Sequence, residues 1–144
     1  MKSQSGFTLI ELIIVIIILG ILSATAVPKF IDLRNEADEA VFETVRATIS
    51  SAALMARLKQ KVQGLGENES IEVEGNEIAM LNGYPTDESI EQLIDITGFK
   101  FAVDGQFVRD GTPMVSGVVS KCVVDYNAAH SGSKPAIIID RTGC

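Results

Sequence analysis

The chain has 144 residues, 47% of them apolar, and a formal net charge of −7. That length suits one domain with an added element, and the acidic balance argues against nucleic acid or an anionic membrane surface as a partner, because both repel it. The apolar residues are unevenly spread: many lie in the first 27 positions, and the remainder has the composition of an ordinary soluble domain.

The chain opens with a short polar stretch, Met1-Lys2-Ser3-Gln4-Ser5-Gly6. From Phe7 to Val27 the only charge is Glu11. As a helix, these 21 residues (27 − 7 + 1) would be about 31 Å long, enough to cross a bilayer's hydrocarbon core. A secretory signal peptide is one reading, with Lys2 as its basic end and Ala24-Thr25-Ala26 as a small-x-small cleavage site. A plain membrane anchor is another. Glu11 opposes both, because a carboxylate within an apolar span costs about 2.5–3.5 kcal/mol on insertion scales and marks a functional position by default.

The stretch Gly6-Phe7-Thr8-Leu9-Ile10-Glu11-Leu12 resembles the processing signal of type IV prepilins and their relatives. The resemblance implies cleavage after Gly6 by a prepilin peptidase, methylation of the new terminus at Phe7, and a requirement for Glu11 in filament assembly. A buried carboxylate needs a counter-charge. The α-amino group of Phe7 would supply it, from the same chain or from a neighbour, and a neighbour's amine would set the axial register. Gly20 and Pro28 bracket a weakened helical stretch, which the resemblance identifies as the region that loses helical order on assembly.

Beyond Pro28 no proline interrupts residues 29–62, and the predicted helix runs from about Phe7 to Val62. Its first half is apolar all round. Its second half is amphipathic, with Leu33, Ala37, Val41, Val45, Ile49, Ala52 and Ala56 on the apolar stripe and Arg34, Glu36, Glu39, Glu43, Arg46 and Arg57 opposite. Gly64 and Gly66 end it. The acidic segment from Gly64 to Asn76 reads as a solvated loop and edge strand, since its glutamate spacing fits no calcium loop. Within it, Asn68-Glu69-Ser70 is a formal glycosylation sequon.

Gly83-Tyr84-Pro85-Thr86 reads as a turn, and Thr86 as the cap of a short helix from about Asp87 to Ile96. Phe99–Val103 and Gln106–Arg109 form a predicted hairpin around Asp104-Gly105. Met114–Tyr126 is a β-rich run, Asn127–Lys134 a polar loop and Ala136–Asp140 a last strand. Cys122 and Cys144 are the only cysteines. They allow one pairing. In an exported domain a disulfide is expected, stabilising by roughly 3 kcal/mol, whereas in a cytosolic chain they would be unrelated thiols.

The layout resembles the type IV pilin fold, an α+β class in which a long N-terminal helix packs on a C-terminal antiparallel sheet with a disulfide-closed loop. It implies a leader at 1–6, a membrane or filament-core half-helix at 7–27, an amphipathic half at 28–62 and a globular head at 63–144. The resemblance narrows to the mannose-sensitive haemagglutinin group of major pilins through Gly83-Tyr84-Pro85-Thr86, Asp95-Ile96-Thr97-Gly98, and Cys122 with Cys144.

The residues offer no catalytic constellation: no phosphate loop, no HExxH, and a single histidine, His130, in a Gly/Ser-rich loop. Neither an enzyme nor a cofactor nor a metal site is expected. The resemblance implies a structural subunit that polymerises into a surface-attachment pilus. Its partners would be copies of itself, the prepilin peptidase and the pilus assembly machinery with its ATPase. It would wait in the inner membrane before export to the cell surface. Two alternatives stand: a pseudopilin of a type II secretion system, and a minor tip pilin binding a receptor or DNA. The head's Lys100, Arg109, Lys121, Lys134 and Arg141 form no dense basic run, which speaks against DNA.

Overall fold

The structure is a computed structural model and describes residues 7–112, 122–142 and 144. The first element is a helix, α1, Leu9–Val62. The backbone divides into two compact units, Met1–Ala40 and Val41–Cys144.

In the first unit the helix is not ended by proline: Pro28 lies inside it. A proline has no N–H to donate to the carbonyl four residues back, that of Ala24, so the helix continues with one bond fewer. Every residue from Phe7 to Thr25 is exposed.

In the second unit α1 buries Phe42, Val45, Ile49, Ala53, Ala56 and Gln60. Five steps separate Phe42 from Gln60, and (60 − 42)/5 is 3.6 residues, the helical repeat. This corrects the predicted stripe. Its members Leu33, Ala37, Val41, Val45 and Ile49 advance by four each time, which drifts around the helix. Hence Val41 is exposed and Ala52 only half-buried, while Phe42 and Ala53, neither of them on that stripe, are core. Arg57 also leaves the solvated face: its guanidinium stacks 4.5 Å from the Tyr84 ring centroid and donates to the Tyr84 hydroxyl.

Two small ladders follow. Strands β1 (Ile71–Val73) and β2 (Asn76–Ile78) pair antiparallel, as do β3 (Met80–Leu81) and β4 (Tyr84–Pro85). The predicted turn at Gly83-Tyr84-Pro85-Thr86 lies earlier. Asn82 (φ 54°) and Gly83 (φ 80°) make the two-residue bend, and Tyr84 and Pro85 are buried strand residues. Two successive positive φ values define the type I′ turn that Asn-Gly favours. The predicted helix over 87–96 shrinks to a 3-10 turn, Ile90–Leu93. The Ser89 hydroxyl accepts from the Thr86 N–H at 3.1 Å and donates to the Ala79 carbonyl at 2.7 Å, tying this segment to the residue before β3, and Ile94 is already extended (φ −137°, ψ 128°), which ends the turn.

The main sheet has four antiparallel strands in the order β5 (Phe99–Phe101), β6 (Gln106–Arg109), β7 (Val123–Asn127), β8 (Ala136–Asp140). The predicted hairpin forms around Asp104-Gly105, both at positive φ. Phe101 pairs with Phe107, so Ala102 and Val103 together face Gln106 as a bulge, with Ala102 N–H donating to the Gln106 carbonyl at 2.9 Å and Gln106 N–H to that of Val103 at 3.0 Å. Gly105 is obligatory here. A Cβ on it would lie 2.1 Å from the Tyr126 carbonyl oxygen, and its own carbonyl accepts from Tyr126 N–H at 3.0 Å. The last strand is Ala136–Asp140 as predicted. Of the predicted run Met114–Tyr126, residues 114–121 lie outside the described residues.

Helix and sheet enclose one main core: Phe42, Val45, Ile49 and Ala53 pack with Tyr84, Ile90, Phe107, Val124, Tyr126 and Ala129. Phe42 meets Phe99 edge to face at 5.3 Å. Tyr126 donates its buried hydroxyl to the Pro85 carbonyl at 2.8 Å, and burial pushes its pKa up, so it stays a donor. Cys122 and Cys144 are joined, with Cα atoms 5.1 Å apart, closing β7, its loop and β8 into one loop. The α+β arrangement and this disulfide agree with the expected type IV pilin fold.

Candidate functional site: the apolar helix start

The helix begins with a reciprocal cap. Thr8 N–H and Thr8 Oγ1 both donate to Glu11 Oε2, at 2.9 and 2.7 Å, and Glu11 N–H donates to Thr8 Oγ1 at 3.3 Å. This is a capping box: Thr8 precedes the first helical residue, and Glu11 stands third within it. A helix start leaves its first N–H groups without internal partners and carries partial positive charge, so a carboxylate there is favoured twice over. The Thr-x-x-Glu spacing was present in the sequence, and attention to Glu11 alone passes over Thr8.

Glu11 is therefore held by its own chain, at the edge of a surface that has no polar side chain again until Ser23. Leu9, Ile10, Leu12, Ile16, Leu19 and Ile21 are each more than half exposed. A helix apolar on every side is stable only against lipid or other helices, and by length and composition this one is sufficient to cross a membrane. Its two hydroxyls are compatible with such surroundings. Ser23 donates to the Leu19 carbonyl at 2.7 Å and Thr25 to that of Leu22 at 2.9 Å, so neither needs water.

Of the residues singled out from the sequence, Phe7 is 88% exposed, ahead of the cap. Gly6 lies outside the described residues. Gly20 sits on the open helix surface, where a Cβ would meet nothing within 4 Å, and Pro28 is eight residues further along the same helix. His130 is exposed. Among the described residues, no three His, Cys, Asp or Glu side chains are placed to hold a metal.

Residues 1–27 match the family described as the prokaryotic N-terminal methylation motif. The N-terminal segment of this chain thus carries the methylation motif. The chain is 50% identical across 56 residues to the type IV narrow pilus major component of Thermus thermophilus. The match covers 39% of this chain and 48% of the Thermus protein. A fimbrial protein of Pseudomonas aeruginosa is 46% identical over 63 residues, 42% of this chain and 40% of that one. The type II secretion system core protein G of Vibrio cholerae is 36% identical over 62 residues, 43% and 42% of the two chains. The chain thus spans less than half the length of these relatives. No solved structure gives a match. The motif match at residues 1–27 contains the capping box of Thr8 and Glu11.

Proposed function

We propose that this chain is a precursor of a major pilin, a structural subunit that polymerises into a type IV pilus for surface attachment and does no catalysis. The observation that carries the reading is the capped carboxylate at the start of a helix exposed and apolar on all sides. Such a helix needs many neighbours, and a polymer supplies them. In this proposal a prepilin peptidase cuts after Gly6, removes residues 1–6 and methylates Phe7. The new amine lies one helical turn from Glu11. It competes with Thr8 for the carboxylate, and on assembly Glu11 passes to a neighbour's amine. Residues 7–27 span the inner membrane before assembly and line the filament core after it. The stretch from Gly20 to Pro28, already one backbone bond short, yields its helical order there. Residues 28–62 join this span to a head formed by 63–144, and pilus assembly machinery draws subunits from the membrane to the cell surface.

Within the pilins, Tyr84-Pro85 in the core and the Cys122–Cys144 closure support placing the chain with the mannose-sensitive haemagglutinin group. The likeness to a type II secretion core protein favours a second reading, a pseudopilin. Mass spectrometry of protein sheared from cells, together with electron microscopy, tests both. Methylated Phe7 as first residue with long fibres is the expected result. Methylated Phe7 without surface fibres selects the pseudopilin, and a chain starting at Val27 ends both readings.

A further inference from the structure

We propose that Asn82-Gly83 is a latent deamidation site, locked by the folded head and unlocked when the segment closed by the Cys122–Cys144 disulfide comes loose. An asparagine followed by glycine is the sequence most open to this chemistry, because no side chain hinders the following amide. The deprotonated main-chain nitrogen of Gly83 attacks the side-chain carbonyl carbon of Asn82. A new C–N bond closes a cyclic succinimide, and the side-chain nitrogen departs as ammonia with the proton that Gly83 gave up. Water then opens the ring to an aspartyl or isoaspartyl residue. No other reactant is required.

The head blocks each part of that sequence. Gly83 is buried, and its N–H donates to the Glu67 carbonyl at 2.7 Å, which holds the proton the nucleophile must lose. The departing Nδ2 of Asn82 donates to the Ala129 carbonyl at 2.8 Å. The N–H of Asn82 donates to Asn68 Oδ1 at 2.9 Å, which fixes its backbone at φ 54°. Two of these anchors, Glu67 and Asn68, stand in the turn after α1. The third, Ala129, is a core residue in the loop between β7 and β8, inside the span that the disulfide closes. Loss of the Ala129 contact releases the leaving group and the rotation needed for attack. The conversion is one-way. An aspartate at 82 has no side-chain N–H to offer the Ala129 carbonyl, so the loop cannot be held as before.

The test follows Asn82 by peptide mapping in the full-length chain in detergent at mildly alkaline pH, beside a synthetic peptide of residues 79–86. With the disulfide intact, conversion should be slower than in the peptide by about tenfold or more, since it waits on local opening. After phosphine reduction it should accelerate while the amides of β6 and β7 remain protected from hydrogen exchange. Equal rates in peptide and oxidised chain overturn the lock. No acceleration on reduction, or acceleration only when β6 and β7 also lose protection, overturns the gate. The Asn82→Asp variant should show faster exchange at the Gly83 amide, and unchanged exchange there overturns the one-way step.

Discussion

Thr8 and Glu11 share one cap, so a change at either is felt by both. Thr8→Ala removes the hydroxyl that donates to the carboxylate and should weaken the first turn by about 1 kcal/mol, read as faster hydrogen exchange at Glu11 and Leu12. Asp125 is a different case. Burial raises its pKa, with smaller contributions from the charges of Asp87 and Asp104, against a lowering hydrogen bond from Asn127. The folded chain therefore holds this proton more tightly than the unfolded chain. The stability it contributes is fully present below the ordinary carboxylate pKa and is lost as pH rises through the raised folded value. Asp125→Asn should flatten that part of a Tm-versus-pH curve; an unchanged slope would remove Asp125 as its source. At Gly105, alanine meets both a left-handed φ of 80° and a carbonyl 2.1 Å away. The cost should be about 3 kcal/mol or more, measured by denaturant unfolding.

The amphipathic end of α1 can be tested as an element. Phe42→Ala should cost about 3–5 kcal/mol, because it empties the position between the helix and Phe99. Val41→Ala, one residue earlier and 42% exposed, should change stability by less than about 0.5 kcal/mol. Comparable losses at both would restore the stripe expected from the sequence. That stripe was drawn from aliphatic residues at four-residue steps, and the error was one of phase. A helix surface shows which face is apolar only to within a residue, and contact with Tyr84, Phe107 and Val124 selects Phe42, Val45 and Ile49. The hairpin was legible because the Asp104-Gly105 turn chemistry coincides with the alternation of Phe99-Lys100-Phe101, and the strand Ala136–Asp140 because it is a short run rich in β-branched residues. The turn at Asn82-Gly83 carried the same dipeptide signal, but Pro85 drew the prediction downstream.

For the whole molecule, the disulfide joins the two ends of a segment with a sequence separation of 22. Reduction should lower stability by roughly 3 kcal/mol, seen as a lower denaturant midpoint. The sequence alone was enough for the long apolar helix, its single carboxylate, the likeness to pilins, and the α+β class. The helix and its carboxylate depend on local composition and the cost of a charge in an apolar run, which are properties of neighbouring residues, and the likeness and the class follow from the resemblance of short motifs. It was not enough for the core face of the helix, the shortened 3-10 turn, the stacking of Arg57 on Tyr84, or the three anchors of Asn82. Those are set by partners apart in sequence, 27 positions for Arg57 and Tyr84 and 14 and 47 for two of the anchors at Asn82, that meet only in the folded head, and no local pattern encodes which of them will touch.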